Sequence, residues 1–323
     1  MTRFATIGSN FVTDSFLEAA RGVEGFQLEG VYSRTRARAE EFAAKWGAPR
    51  TYTSLDALCA DPAIEAVYVA SPNACHEAQT IALLKAGKHV LCEKPIAPDS
   101  AALARMARAA REAGRVLMEA MMPAHTPAYR AIRAAMAQIA PVRRATLRFC
   151  KYSSRYDKFK AGIVENAFDP SLANGALMDI GVYCLHAAQL LLGEPQTVAG
   201  KSVFLPGGID GAGSLVLGYD GALAEIVYSK ITDSVSPSEI EGEGGSILID
   251  AVSHPRRAEL VLRGGARREI PLGVEADEMR YEIEDFLALL RGADGARYLA
   301  DSEAVTRTLD RARAGMGVEF RRR

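Results

Sequence analysis

Two groups of side chains in this sequence are placed so that they could manage a proton. The first is His89-Val90-Leu91-Cys92-Glu93-Lys94-Pro95. Val90 to Cys92 is a short apolar run of the kind that forms a buried strand, and Pro95 cannot continue a strand ladder. Lys94 then stands at the carboxyl end of a strand, where open α/β sheets bind their ligands. A lysine at such an edge can lose solvation and exchange a proton. Taken alone, Glu-Lys-Pro is more simply a surface ion pair in a loop. The second group is Asp179, Tyr183 and His186 in the stretch Asn174 to His186. If helical, these fall at i, i+4 and i+7 on one face. A carboxylate, a phenol and an imidazole on one stripe of an otherwise apolar helix are unusual for pure core. One satisfied histidine among core residues is the plainer reading.

Elements must exist to hold these groups. Phe4 to Ile7 reads as a buried strand, followed by Gly8-Ser9-Asn10-Phe11-Val12-Thr13 and a helix from about Asp14 to Arg21. Strand, glycine turn and helix N-terminus is the geometry that receives a dinucleotide pyrophosphate. The usual G-x-G-x-x-G/A spacing keeps only Gly8; Asn10 and Thr13 stand at the other two positions. Asn10 tolerates a left-handed backbone, and Thr13 could cap the helix. A plain strand–turn–helix unit explains the segment equally well.

A second strand, Gln27 to Tyr32, ends in Ser33-Arg34-Thr35-Arg36-Ala37-Arg38. No acid stands there to bond a ribose 2′-hydroxyl. A small hydroxyl followed by Arg34, with Arg38 one turn on, suits a 2′-phosphate instead. The expectation is NADP(H), with NAD(H) as the lesser possibility. Ala66 to Ala70 is a continuous apolar run, as in a parallel strand covered on both faces. The turn after it, Ser71-Pro72-Asn73-Ala74-Cys75-His76, should also face a cofactor, although His76 reads equally as an ordinary histidine near a helix start. Strands and helices alternate through Val116 to Ala120, which indicates a doubly wound parallel sheet. Beyond Pro127, short alternating runs between Arg143 and Ile270 predict an antiparallel sheet, followed by helices at Glu278 to Leu290 and from Asp301 to about Ala314.

Composition narrows the function classes. The chain of 323 residues carries a net charge of −1, which favours neither nucleic acid nor an anionic membrane. Five scattered cysteines form no paired or zinc-type spacing, so a reducing, cytoplasmic compartment and no metal are expected. No apolar run approaches a membrane span.

The order of the degenerate glycine turn, Ser33-Arg34, Ala70-Ser71-Pro72-x-x-x-His76, Glu93-Lys94-Pro95 and Glu119-Ala120-Met121-Met122 resembles the glucose–fructose oxidoreductase, inositol dehydrogenase and rhizopine-catabolism family (Gfo/Idh/MocA), essentially end to end. The resemblance implies a Rossmann dinucleotide-binding domain over residues 1–120. It implies an α+β domain over 121–323 with a large, mostly antiparallel open sheet, and a final helix that packs back on the first domain. It implies a cis Lys94–Pro95 bond and nicotinamide bound between the domains. Gly8, Ser9, Asn10, Phe11, Ser33, Arg34, Arg38, Ser71, Pro72, Asn73, His76, Glu93 and Lys94 would then serve the cofactor. Lys94, Asp179 and Tyr183 would be catalytic, and these three with His186 would hold the substrate. The tyrosine at 183 is similar to the branch with the dihydrodiol and xylose dehydrogenases. The segment Pro123-Ala124-His125-Thr126-Pro127 departs from the family by lacking a basic residue before its proline. The expected activity is NADP(H)-dependent hydride transfer with a sugar, cyclitol or related polyol, in a homodimer or homotetramer joined through the second sheet. Which of Lys94 and Tyr183 moves the proton stays open at this level. A non-catalytic, nucleotide-sensing regulator on the same fold is the alternative.

Overall fold

Six parallel strands form the first sheet of the computed structural model, which describes residues 1–320. In chain order the elements are β1 (Thr2–Ile7), α1 (Phe11–Ala20), β2 (Phe26–Tyr32), α2 (Arg36–Trp46), β3 (Arg50–Tyr52), α3 (Leu55–Ala60), β4 (Ala66–Val69), α4 (Asn73–Lys85), β5 (His89–Glu93), α5 (Ser100–Ala113) and β6 (Leu117–Ala120). The strand order is β3-β2-β1-β4-β5-β6, with every pairing parallel. Alternate residues of the central strands enter two separate apolar clusters. Val67, Val69, Val90 and Cys92 lie in one; Tyr68 and Leu91 lie in the other. That is why these strands read as unbroken apolar runs: both faces are covered.

The next elements are α6 (Met122–His125), α7 (Pro127–Met136), β7 (Val142–Cys150), α8 (Tyr156–Lys160), a π-turn over Leu177–Gly181 running into α9 (Val182–Leu192), and β8 (Thr197–Phe204). They continue with β9 (Asp210–Tyr219), β10 (Ala222–Ser229), β11 (Ser238–Gly242), β12 (Gly245–Ile249), β13 (Ala258–Leu262) and β14 (Arg267–Ile270). These eight strands make one sheet in the order β14-β13-β12-β11-β7-β10-β9-β8. It is antiparallel except where β10 runs parallel to β7. Two helices close the chain, α10 (Met279–Leu290) and α11 (Ala296–Met316).

The chain divides into two compact units. The first is Met1–Met121 with Asp277–Glu303; the second is Met122–Ala276 with the residues from Ala304 on. A sequence boundary at 120/121 leaves 277–303 with the second domain. The structure groups them with the first, because Ile283, Phe286 and Leu287 of α10 complete the apolar cluster around Phe4, Phe16 and Leu17. The final helix opens at Ala296 rather than Asp301. It is shared: Ser302 bonds Glu119 in the first unit, whereas Arg307 pairs with Glu194 in the second. The expected frayed tail at Arg321–Arg323 lies outside the described residues. Among those described, no helix is long and apolar enough to cross a membrane.

Candidate active site

The carboxyl edge of the first sheet carries most of the residues expected to serve a dinucleotide. Gly8 follows β1 with φ of +112°, and a Cβ there would lie 2.5 Å from the Ala70 carbonyl oxygen. Only glycine fits, because φ is positive and the backbone of the next strand is in contact. Asn10 has an extended backbone (φ −104°), so its tolerance of left-handed geometry is not used. Its side chain caps α1, accepting from the Val12 and Thr13 amides at 2.9 and 3.2 Å and donating to Ala70 O at 3.3 Å. Such a cap stabilises a helix by about 1 kcal/mol. The helix therefore starts at Phe11, three residues earlier than its apolar pattern suggests. Thr13 is not the cap; it sits inside α1 with its hydroxyl buried and unbonded. Phe11 opens the helix with 64% of its surface exposed.

Ser33 and Arg34 follow β2, with Arg34 exposed. Arg38, in α2, reaches the glycine turn: Nη2 donates to Ser9 O at 2.6 Å and Nε to Ser9 Oγ at 3.0 Å. Its Nη1 pairs with Glu41 at 2.8 Å. Ser9, Asn10 and Arg38 are thus brought together, with Ser33 and Arg34 at the next strand end.

The turn after β4 is built differently from the expectation. Ser71, Pro72 and Asn73 are part-exposed, but His76 is completely buried. Its Nδ1 lies 3.0 Å from Pro95 O and its Nε2 lies 2.9 Å from Ser71 O. Burial lowers its pKa, against the two carbonyl contacts that raise it. A neutral ring donates through one nitrogen only, so it bonds one carbonyl at a time. His76 joins the Ser71 and Pro95 turns and meets a ligand only through them.

Lys94 follows β5 on a cis bond to Pro95. Glu93 beside it is buried, accepting from the Tyr68 hydroxyl at 2.5 Å and from the Lys94 amide at 3.2 Å. Burial raises the Glu93 pKa; the Lys94 charge and these bonds pull it back. Tyr68 is held by stacking on Phe16, with centroids 3.8 Å apart. Glu119 of β6 fixes the other side of the turn, accepting from the Ile96 amide at 3.0 Å and from Ser302 Oγ at 2.5 Å. Tyr68 does not stand out in the sequence, because it lies inside an apolar strand, and Glu119 enters there only as the first residue of the Glu119-Ala120-Met121-Met122 motif.

In the second unit the π-turn over Leu177–Gly181 presents Asp179, and the first turn of α9 presents Tyr183. Both are part-exposed, whereas His186 is only 3% exposed. The Tyr183 ring meets Phe149 of β7 edge to face, with centroids 5.6 Å apart. The turn begins at Gly175, where φ is +146° and a Cβ would lie 2.0 Å from Asp210 Oδ1. Asp210 Oδ2 accepts from the Leu177 amide at 2.7 Å. Burial pushes the Asp210 pKa up to about 6, opposed by that bond.

Sequence reasoning missed Lys230. Its Nζ lies 2.7 Å from Asp179 Oδ2, and its side chain is 4% exposed. A signal existed: Ala224, Ile226 and Tyr228 alternate on the buried face of β10, and Lys230 is the next residue in that row. A buried lysine requires a partner.

The fold agrees with what known proteins show. Residues 2–121 match the oxidoreductase family model described as a NAD-binding Rossmann fold, and residues 131–266 match the GFO/IDH/MocA C-terminal domain. The chain belongs to the Gfo/Idh/MocA oxidoreductase family. It is 45% identical over 291 residues to a scyllo-inositol 2-dehydrogenase (NADP(+)) of Bacillus subtilis, covering 90% of this chain and 89% of that one. It is 30% identical to the trans-1,2-dihydrobenzene-1,2-diol dehydrogenase of Mus musculus, over 98% of both. Its fold matches a 3-ketoreductase from Actinomadura kijaniata, solved with NADP and TDP-benzene, with a TM-score of 0.86 at 23% identity and 98% coverage of each chain.

Proposed function

We propose that this protein is an NADP(H)-dependent dehydrogenase of cyclitols or related polyols. The observation that carries the reading is Lys94 at the carboxyl end of β5, on the sheet edge that also holds the Gly8-Ser9-Asn10 turn. The residues fit a dinucleotide: Gly8 lets backbone approach closely, and the start of α1 offers positive partial charge. Ser33, Arg34 and Arg38 suit the 2′-phosphate, and no acid at the end of β2 competes for a ribose hydroxyl. The NADP(+)-dependent relative supports the same choice. Ser71, Pro72, Asn73 and Glu93 complete the cofactor set, with His76 acting through the turns it joins.

When bound, the nicotinamide supplies or accepts the hydride. Lys94 and Tyr183 handle the reacting oxygen, one transferring its proton and the other stabilising the charge that develops there. Asp179 anchors a neighbouring hydroxyl. His186 lies too deep to touch substrate in this conformation.

Titration with NADPH and NADH, followed by nicotinamide fluorescence, tests the cofactor reading. NADPH should bind about tenfold tighter or better, since a charge-assisted hydrogen bond contributes roughly 1.5–3 kcal/mol. Arg34→Ala should erase that margin. Equal affinities, or no binding, would remove the reading.

The second sheet supports self-association. Val203, Val216 and Leu223 are 55%, 47% and 39% exposed. Val216 and Leu223 stand on the same face of β9 and β10, where Val216 pairs with Glu225 and Gly218 with Leu223. We expect a homodimer or homotetramer through this face, and light scattering that returns a monomer mass would rule it out. The five free cysteines suit the cytoplasm, which fractionation would check.

A further inference from the structure

Lys230 touches three segments at once. Nζ is 2.7 Å from Asp179 Oδ2 and donates to Ala167 O at 2.8 Å. It also lies 4.7 Å from the centroid of the Phe168 ring. Phe168 stacks in turn on Phe159, at 5.1 Å, and on Tyr156, at 5.8 Å. The ammonium therefore links the Asp179 turn to the aromatic segment from Tyr156 to Phe168. Tyr156 and Phe159 also line an open cavity of about 610 Å³, with Val164 and Pro206.

A lysine this deeply buried is a costly choice unless its charge is used. A core strand ending in Ala224, Ile226 and Tyr228 would be completed as well by an apolar residue. We propose that Lys230 is a positioning residue for the reaction, holding the carboxylate of Asp179 in one orientation for a substrate hydroxyl. The inference rests on the reading of Asp179 as a substrate anchor. Its side chain contacts Asp179, the Ala167 carbonyl and the Phe168 ring, and its charge also acts on Asp210, so its role is one of positioning. Groups that orient a ligand in this way typically change affinity or activity by about 10–100-fold when removed.

The test is a double-mutant cycle at Asp179 and Lys230, with scyllo-inositol oxidation by NADP⁺ as the readout. Lys230→Met should raise the KM for the cyclitol about 10–100-fold. NADPH affinity should stay within about twofold, since no cofactor contact changes. Lys230→Arg should recover most of the loss. The double variant with Asp179→Asn should be no worse than Asp179→Asn alone, because the proposed effect of the lysine on substrate runs through that carboxylate. An unchanged KM in Lys230→Met, with Asp179→Asn impaired, overturns the role of Lys230 and leaves that of Asp179. Both variants unchanged overturns the substrate-anchor reading as well. If Lys230→Met does not fold, the double variant, which buries no unpaired charge, decides. Activity equal to Asp179→Asn supports the proposal, and a further loss of about tenfold or more defeats it.

Discussion

The Lys94 turn and the Asp179 turn solve the same problem with opposite charges. Lys94 is a cation whose turn is fastened by buried acids: Glu93 to the Tyr68 hydroxyl, Glu119 to the Ile96 amide and Ser302. Asp179 is an anion whose turn is fastened by a buried cation, Lys230. Each unit sets its working group among charges of the other sign. They differ in how completely the supporting charges are satisfied. Both oxygens of Glu282, fully buried on α10, lack a hydrogen-bond partner, and the charge it feels is that of Glu93. In the second unit, Lys230 and Asp179 form a contact pair, and Asp210 takes a backbone amide. The first support therefore keeps an acid that the fold would be more stable without. The second compensates the Lys230–Asp179 pair but also keeps a costly acid, since Asp210 Oδ1 is buried without a hydrogen-bond partner.

Removing the working group of the first turn should have the largest effect. Lys94→Met should lower kcat by about 10³-fold, within the range that proton transfer contributes, while NADPH affinity changes by no more than a few-fold. Steady-state kinetics with a fluorescence titration reads both, and retained turnover would show that the first turn is structural only. The next effect is one of pH. Asp210 has a folded pKa of about 6 against an ordinary 3.8. The folded state thus holds this proton longer than the unfolded one, and stability falls as pH rises from about 4 to 6. At about 1.4 kcal/mol per unit, the loss is on the order of 3 kcal/mol. Asp210→Asn should lack this component, and chemical denaturation across that range would show it. Identical slopes would mean that the carboxyl titrates normally. Glu282→Met should give the smallest change, a gain of about 1–3 kcal/mol from removing an unsatisfied buried polar group. Burial and Glu93 raise the Glu282 pKa, so the gain should grow as pH rises above 4.5. A loss of stability at neutral pH would mean that Glu282 is satisfied by its surroundings after all.

The framework was legible because both sheets write themselves in apolar periodicity. The continuous runs at Ala66–Val69 and Val90–Cys92 mark strands covered on two faces, and the alternation through Ala222–Ser229 marks one covered on a single face. Strand β3 was not legible: Arg50-Thr51-Tyr52 contains no apolar run and is defined by pairing with β2. Lys94, Asp179 and Tyr183 were legible as candidates, because residue type and position single them out. The site was less legible where a side chain's role depends on a distant partner. His76 looks like a ligand group until Ser71 and Pro95 are seen at its two nitrogens. The spacing of Asp179, Tyr183 and His186 assumes a regular helix. The π-turn inserts an irregular stretch after Leu177, and His186 ends on the buried side.

The Asn10 cap has a consequence for how the protein responds to salt. Its side-chain oxygen already occupies the Val12 and Thr13 amides, which in a glycine-rich turn would be available to an anion. More of the attraction for nucleotide phosphates then falls to arginine side chains at the surface. Backbone amides at close range are little affected by dissolved ions. Exposed charges are screened over about 8 Å at physiological ionic strength. A cofactor site of this design is tuned by the ionic medium around it as well as by its shape.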